Sequence, residues 1–367
     1  MTGSRNPLLT FLLLPFSFVY GLAVMVRNFC FDTGILVSQH FPLPVIGVGN
    51  ITAGGTGKTP HVEYIVNLLK DTTCLAVLSR GYRRKSSGFV VASTVSGVED
   101  VGDEPLQIKK KFPGIEVAVD TSRARGIRNI CRINKKLQAV VLDDSFQHRW
   151  VKPGISVMLT DYNRPMKKDL LLPAGRLRER VSAKSRAEIV IITKCPPDIK
   201  PIERRIIKKD LNLFPWQSLY FSTFTYGTPL PVFAGAPSFP EREELKGVKY
   251  DILMVTGIVA PRLLKKYLRG FSPRIIQITF PDHHSFRSRD IRRIIAAWNE
   301  IKNDRKFFMT SEKDAMRLQK FTDIDPGIKE KMYYVPVAVS FIDKDGEAFN
   351  NQIINYVGKN RRDHILC

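Results

Sequence analysis

Lys58 and Thr59 close the glycine-rich stretch VGNITAGGTGKTP, Val48–Pro60. Such a loop binds phosphate because successive backbone N–H groups converge on one point. A lysine at its end reaches the outer phosphate oxygens, and the hydroxyl after it holds Mg²⁺. Gly54, Gly55 and Gly57 supply permissive backbone, so Thr52, Ala53, Gly54, Gly55, Thr56, Gly57, Lys58 and Thr59 form the candidate nucleotide-binding stretch. The strict pattern has glycine where Thr52 stands. A second acidic element, VVLDDSFQH (Val140–His148), is an apolar strand ending in two carboxylates, the arrangement that presents an aspartate to Mg²⁺. Neighbours on an extended strand point to opposite faces, so Asp143 and Asp144 are expected to divide roles, one near the metal and one toward the loop or substrate. Thr59, Asp143 and Asp144 are the candidate metal ligands, and ATP and Mg²⁺ the expected cofactors.

Four further segments carry reactive side chains. GDEP (Gly102–Pro105) offers Asp103 or Glu104 as a base or orienting group beside an attacking hydroxyl, although a loop acid is often simply solvated. FPDHHSF (Phe280–Phe286) places two histidines after a strand. A neutral imidazole there could hold a neighbouring acid by hydrogen bonding, and the plainer reading is a helix cap at Asp282 or Ser285. LLPAGRLRER (Leu171–Arg180) brings Arg176 and Arg178 out of a loop, and Arg123 and Arg125 follow another strand end. Arginine grips phosphate bidentately, so these four could face one crevice. IITKCP resembles the guanine-reading N/TKxD pattern but has Pro196 where the base-reading aspartate would be, so ATP is expected over GTP.

These groups need a scaffold. PLPVIGVGN, CLAVLSRG, FVVAS, IEVAVD, QAVVLDD, ISVMLTD and EIVIITK read as strands, and HVEYIVNLLK and SRARGIRNICRIN as helices between them. That alternation predicts a parallel α/β sheet with ligands at the carboxyl ends of its strands. A Pro-, Gly- and Phe-rich stretch near 224–244 reads as a linker. The rhythm then restarts at DILMVTGIVAP and PRIIQITF, followed by an amphipathic helix near Arg289–Ile301 and KFFMTSEKDAMRL. YYVPVAVSF reads as one late strand and NQIINYVGKN as a terminal helix. The expected divisions are an apolar membrane-associated segment over 1–40, a phosphate-loop domain over 41–225, a linker over 226–245, a second smaller α/β domain over 246–332, and a return strand with a helix over 333–367.

The apolar segment, Asn6–Val26 between Arg5 and Arg27, carries no charge. As a helix it would cover about 30 Å, close to the thickness of a bilayer core. Pro15 is expected to kink it, and Phe11, Phe16, Phe18 and Tyr20 suit an interface. No small-residue cleavage site follows, which argues against a signal peptide. An anchor is expected, and both spanning and half-inserted forms fit. The 57 Lys and Arg against 35 Asp and Glu give a net charge of +22, which draws anionic partners: nucleic acid, an anionic leaflet or a phosphorylated substrate. With an anchor and no helicase-like motif set, no nucleic-acid partner is expected. Cys30, Cys74, Cys131, Cys195 and Cys367 form no CxxC pair, so neither a disulfide framework nor a zinc site is indicated.

In order, VGNITAGGTGKTP, SRGYRRK, GDEP, LDDSFQH, LLPAGRLRE, FPDHHSF and TSEKDAMRL resemble the tetraacyldisaccharide 4'-kinase family of lipid A biosynthesis, over roughly residues 40–320 and including the apolar N-terminus. Thr52 at the first-glycine position also resembles the family's form. The resemblance implies two α/β domains joined by a small β linker, with the phosphate loop in the first and the active site in the crevice between them. It implies transfer of the γ-phosphate of ATP to the 4'-hydroxyl of a tetraacyldisaccharide 1-phosphate. It also implies a monotopic protein on the cytoplasmic side of the inner membrane, with the lipid A precursor and the membrane surface as partners and no protein partner. By the same resemblance Lys58 and Thr59 hold phosphates and Mg²⁺, Asp143 and Asp144 are the metal-side pair, and Asp103 matches the proposed base with His283 beside it. Glu104, Arg123 and Arg176 match residues lining the site, and Asn50 and Thr52 lie where the loop meets the lipid sugar. Ser145 stands where the family often has glycine.

Overall fold

The computed structural model describes residues 7–245 and 249–360. Arg5, Asn6 and Cys367 lie outside the described residues. Helix α1 (Pro7–Asp32) precedes strand β1 (Val45–Asn50) and helix α2 (Lys58–Leu69). Then come β2 (Leu75–Ser79), β3 (Val90–Val91), α3 (Val98–Val101), α4 (Asp103–Lys111), β4 (Glu116–Val119), α5 (Arg123–Ile133), β5 (Ala139–Asp143), β6 (Ile155–Asp161), β7 (Ile189–Thr193), α6 (Pro201–Leu211) and β8 (Ser218–Tyr226). The second half holds β9 (Leu230–Pro231), α7 (Arg242–Leu245), β10 (Asp251–Thr256), α8 (Pro261–Leu268), β11 (Arg274–Thr279), α9 (Ser288–Asn299), β12 (Lys306–Ser311), α10 (Glu312–Leu318), α11 (Pro326–Lys329), β13 (Met332–Val335), β14 (Val337–Phe341) and α12 (Asp345–Asn360).

The strands form two sheets. The first runs β14-β8-β7-β6-β1-β5-β2-β4-β3, parallel except at its two edge strands. The second runs β11-β10-β12-β13-β9, parallel except for β9. β1 sits between β5 and β6, so its carboxyl end, which feeds the glycine-rich loop, lies beside the end of β5 with its two aspartates. β1, β2, β5 and β7 are buried along their whole length, as strands covered on both faces must be. Val62, Ile65, Val66 and Leu69 of α2 are fully buried in the core. Each contributes about 1.5–3 kcal/mol, which fixes the loop's downstream end.

Two sequence expectations change. YYVPVAVSF is not one strand. Pro336 has no N–H to give a ladder, and the chain breaks there: β13 pairs with β12 in the second sheet and β14 with β8 in the first. The chain therefore returns to the first sheet, where α12 packs on β8 and β14. In the stretch read as a linker, Leu230 and Pro231 pair antiparallel with Tyr334 and Tyr333 and so join the second sheet.

α1 continues through Pro15 as one helix. Phe11, Phe16 and Phe18 are exposed, at 70%, 65% and 72%. Tyr20, read as interfacial, instead turns inward and donates its hydroxyl to the Arg178 carbonyl at 2.9 Å. The helix docks on the body through Ser17 Oγ to Leu171 O, Asn28 to Glu179 and Arg27 to Gln147 O. By length and composition it could cross a membrane, and most of it is not covered by the rest of the chain.

Candidate active site between the two sheets

The glycine-rich loop has two halves with different tasks. Residues 51–53 are zipped to the 176–178 segment: Thr52 bridges Leu177, Ala53 N donates to Arg176 O and Arg178 N donates to Ile51 O. This explains the threonine. Position 52 is a bridging residue without a left-handed φ, so it has no need of glycine, and the positive φ values fall at Gly54 (110°) and Gly57 (89°). Gly57 is closely constrained as well, since a Cβ there would lie 2.5 Å from Phe224 Cζ. Ala53 has spent its amide on Arg176. Gly54, Gly55, Thr56, Gly57, Lys58 and Thr59 line a cavity of about 390 Å³.

Several groups hold the loop from behind. Asn50 is fully buried and donates to Thr52 O and Thr56 Oγ1, both at 2.8 Å, while its Oδ1 meets Lys58 Nζ at 3.5 Å. It shapes the loop and does not line the cavity. From the end of β7, Thr193 Oγ1 donates to Thr56 O and Lys194 Nζ to Gly55 O, with Asp161 2.8 Å from the same ammonium. Those two carbonyls are thereby held off the phosphate side. The TK pair keeps a structural task although its base-reading aspartate is Pro196.

The two aspartates part as the strand geometry requires. Asp143 ends β5 fully buried, accepts from Ser79 Oγ at 3.4 Å through Oδ2, and has no hydrogen-bond partner for Oδ1. Burial, reinforced by Glu104 and Asp144, pushes its carboxyl up to about 7. Asp144 adopts a left-handed φ of 49° and turns into the cavity. Burial would raise it too, but Lys58 at 3.1 Å and Arg178 at 3.4 Å prevail and hold it at about 2. Among the described residues no three His, Cys, Asp or Glu side chains gather into a metal cage. Asp143 Oδ1 is a buried carboxylate oxygen without a partner, and Thr59 lines the cavity.

The opposite wall comes from the second sheet. α10 packs against α4, the helix that opens with Asp103 and Glu104. His283 Nδ1 lies 3.3 Å from Asp103 Oδ2, and Arg317 Nη2 donates to that same oxygen. Asp103 Oδ1 accepts the Glu104 amide at 3.0 Å. Burial alone would raise Asp103, but the His283 hydrogen bond and the charges of Lys313 and Arg317 hold its carboxyl well below the usual range. His283, Glu104 and Lys313 line the cavity, and Asp103 stays behind them. Tyr82 stacks edge-on to the His283 ring at 4.9 Å and Arg83 donates to the His283 carbonyl, so SRGYRRK supports the histidine loop. His284 has a different partner, Asp290 at 2.9 Å, at the start of α9.

The expected arginines separate. Arg178 lines the cavity and Arg176 does not; Arg176 borders a small recess behind the loop with Asp161 and Asp169. Arg123 is 1% exposed and donates to the carbonyls of Asp120 and Asp143, so it braces the turn after β5. Arg125 pairs with Asp120 at 2.8 Å. Neither Arg123 nor Arg125 lines the cavity: backbone carbonyls engage the first and a local carboxylate the second.

A model of the tetraacyldisaccharide-1-P 4'-kinase family matches residues 9–357. The chain belongs to this family. It is 46% identical over 356 residues to the tetraacyldisaccharide 4'-kinase of Bacteroides thetaiotaomicron, covering 95% of this chain and 94% of that protein. It is 40% identical over 353 residues to the tetraacyldisaccharide 4'-kinase of Flavobacterium johnsoniae, covering 96% and 98%. The crystal structure of the "apo" form of LpxK from Aquifex aeolicus in complex with ATP matches with a TM-score of 0.72 at 27% identity, over 95% of this chain and 99% of that one.

Within this kinase fold, two parts of the cleft escape a reading of motifs. Lys313 and Arg317 stand four residues apart on α10, a spacing that reads as a solvated charged face until α4 is seen opposite. The apolar wall of Phe224, Tyr226, Val259, Leu263, Val335 and Val337 comes from four separate segments that carry no motif.

Proposed function

We propose that this chain transfers the γ-phosphate of ATP to the 4'-hydroxyl of a tetraacyldisaccharide 1-phosphate, a lipid A precursor. The observation that carries this reading is one shared cavity, with the phosphate loop on one wall and His283 on the other. Phosphoryl transfer asks for little covalent chemistry and much positioning: the hydroxyl must sit in line with the phosphorus while cations spread the charge.

In this reading the backbone from Gly54 to Gly57 and the Lys58 ammonium receive the triphosphate, and the apolar wall takes the base. Thr59 and one of Asp143 and Asp144 hold Mg²⁺. The fit is good, since Mg²⁺ commonly takes one or two carboxylates and fills its shell with phosphate oxygens and water, and Asp143 Oδ1 is otherwise unpartnered. When bound, Mg²⁺ neutralises charge on the β- and γ-phosphates. Asp103 has both oxygens engaged and lies behind His283, so the proton passes to His283. Asp103 orients the ring, as a carboxylate does for a catalytic imidazole. This reverses the order in which Asp103 accepts the proton. Glu104 and Arg178 line the sugar side of the cavity; Asn50, Thr52, Arg123 and Arg176 act through the loop and the metal-side turn.

α1 lies in the cytoplasmic leaflet of the inner membrane by its exposed phenylalanines and docks by its Ser17–Asn28 side. The acyl chains of the substrate then stay in the bilayer while the sugar enters the cleft. The first sheet and α12 form the nucleotide-binding domain and the second sheet the closing domain. The test is transfer of ³²P from γ-labelled ATP to tetraacyldisaccharide 1-phosphate by purified chain in phospholipid–detergent micelles. Lipid that stays unlabelled while the protein binds ATP would leave a nucleotide-binding protein and refute the kinase.

A further inference from the structure

Lys313 opens α10 from the second sheet and lines the same cavity as Lys58. Its ammonium is 2.9 Å from Glu104 Oε1, 2.9 Å from His283 Nε2 and 3.9 Å from Asp103 Oδ2. An ammonium has protons to give and no lone pair. The shorter contact assigns Nε2 as the acceptor and leaves the ring proton to Nδ1, which faces Asp103 Oδ2 at 3.3 Å and has Arg317 Nη2 at 3.4 Å as well. His283 is thus the tautomer that a base requires, but its lone pair is engaged, and a lone pair held by Lys313 cannot take a second proton.

We propose that Lys313 is the second cation of phosphoryl transfer: it masks His283 Nε2 until the triphosphate arrives, then turns to the γ-phosphate oxygens and frees Nε2 for the acceptor hydroxyl. The inference rests on the kinase reading above. In the step itself, the sugar oxygen forms a bond to the γ-phosphorus, the bond from that phosphorus to the bridging oxygen breaks with its electron pair leaving on ADP, and the hydroxyl proton ends on Nε2.

Three observations support the exchange. First, the proposal leaves the 2.9 Å ion pair of Lys313 with Glu104 in place and exchanges only the imidazole contact, in which one partner is charged, for a contact with a polyanion, in which both are. Second, the direct donor to Asp103 is not Lys313, which stands 3.9 Å away. Arg317, buried one turn further along α10, reaches Asp103 with one nitrogen and Asp314 with the other at 2.9 Å, and Asp314 is itself held by the Gly257 amide at 2.8 Å. The carboxylate that orients the ring therefore stays in place when Lys313 departs. Third, the two cations suit their tasks. A lysine carries a point charge on a flexible stem, and an arginine carries a rigid fork.

The test uses the full chain in micelles with ATP and tetraacyldisaccharide 1-phosphate. Lys313→Met is expected to lower kcat on the order of a hundredfold, the cost of losing one group aimed at transition-state charge, with little change in the KM for ATP. Lys313→Arg is expected to restore most of that loss. A second measurement needs no variant: the ¹⁵N resonance of His283 Nε2 in wild type is expected to move toward that of an unbonded imine nitrogen when a non-hydrolysable ATP analogue and Mg²⁺ are added. Wild-type kcat in Lys313→Met, or an unmoved Nε2 resonance, would overturn the inference while leaving wild-type lipid phosphorylation, and so the kinase reading, intact. A wild-type chain that labels no lipid fails the kinase reading instead.

Discussion

Lys58 Nζ and Asp144 Oδ1 stand 3.1 Å apart, so the loop's cation and the strand-end carboxylate neutralise one another across the floor of the cleft. Asp144 is ionised at every working pH, held at about 2 against its burial by Lys58 and Arg178. In the proposed reaction Lys58 exchanges this carboxylate oxygen for phosphate. Removing it removes a charge that the transferring phosphate needs. Lys58→Ala is expected to lower kcat/KM for ATP on the order of 10²–10³, measured by ³²P transfer to the lipid. Retained activity would show that the loop is not the nucleotide site.

Thr52 and Gly57 make a contrasting pair within one loop. Thr52 is pinned by its bridge to Leu177 and has no conformational demand that only glycine meets. Thr52→Gly is expected to keep activity within a few-fold and to cost about 0.5–1 kcal/mol of stability through added backbone freedom. Gly57 has φ 89° and would put a Cβ 2.5 Å from the Phe224 ring. Gly57→Ala is expected to lose ATP binding in a filter or calorimetric titration while Thr52→Gly retains it. Equal behaviour of the two variants would contradict the two-part loop.

Much of this site is local, and local features are legible in sequence. β1, the loop and α2 follow one another, and β5 ends in its aspartates, so spacing and hydrophobic runs suffice to place Lys58, Asp143 and Asp144. The α4–α10 contact is not local. Asp103 meets Arg317 across more than two hundred residues, and nothing in the spacing of a lysine and an arginine says that one faces a cleft and the other a buried carboxylate. Arg123 shows the converse. Its position at a strand end reads as a ligand contact, yet three backbone carbonyls lie within reach and burial follows. Pro336 is visible as a break only when the two halves of YYVPVAVSF are seen in different sheets.

The exposed side of α1 carries Leu8, Phe11, Phe16, Phe18 and Val19, each at least 65% exposed. Lipid contact at that face would be worth about 1.5–3 kcal/mol for each large side chain. Replacing Phe11 and Phe18 together by lysine is expected to release much of the chain from vesicles in a flotation assay. Its ATP binding should persist, because Ser17, Tyr20 and Asn28 still hold the helix in place. A doubly substituted chain that floats as well as wild type would place the membrane contact elsewhere.

Two buried groups on α2 pull stability in opposite directions with pH. His61 lies under the loop between Gly57 O and Ser222 Oγ, and burial lowers it from 6.5 to about 4. Between those values the unfolded chain binds more protons at this position, so its contribution to stability grows as pH rises from 4 to 6.5. Glu63 shares Lys111 with Glu312, at 2.6 and 3.5 Å, and one ammonium cannot neutralise two buried carboxylates. Burial, then Glu312, raises Glu63 from 4.5 to about 7. Here the folded chain binds the extra proton, and stability falls as pH rises from 4.5 through 7. The two effects oppose each other over their shared window. Glu63→Gln removes one of them, so relative to wild type its stability in urea is expected to improve steadily from pH 4.5 to 7, by up to about 3 kcal/mol at the upper end. A difference between the two chains that stays constant with pH would mean that Glu63 ionises normally despite its burial, with Lys111 serving it alone.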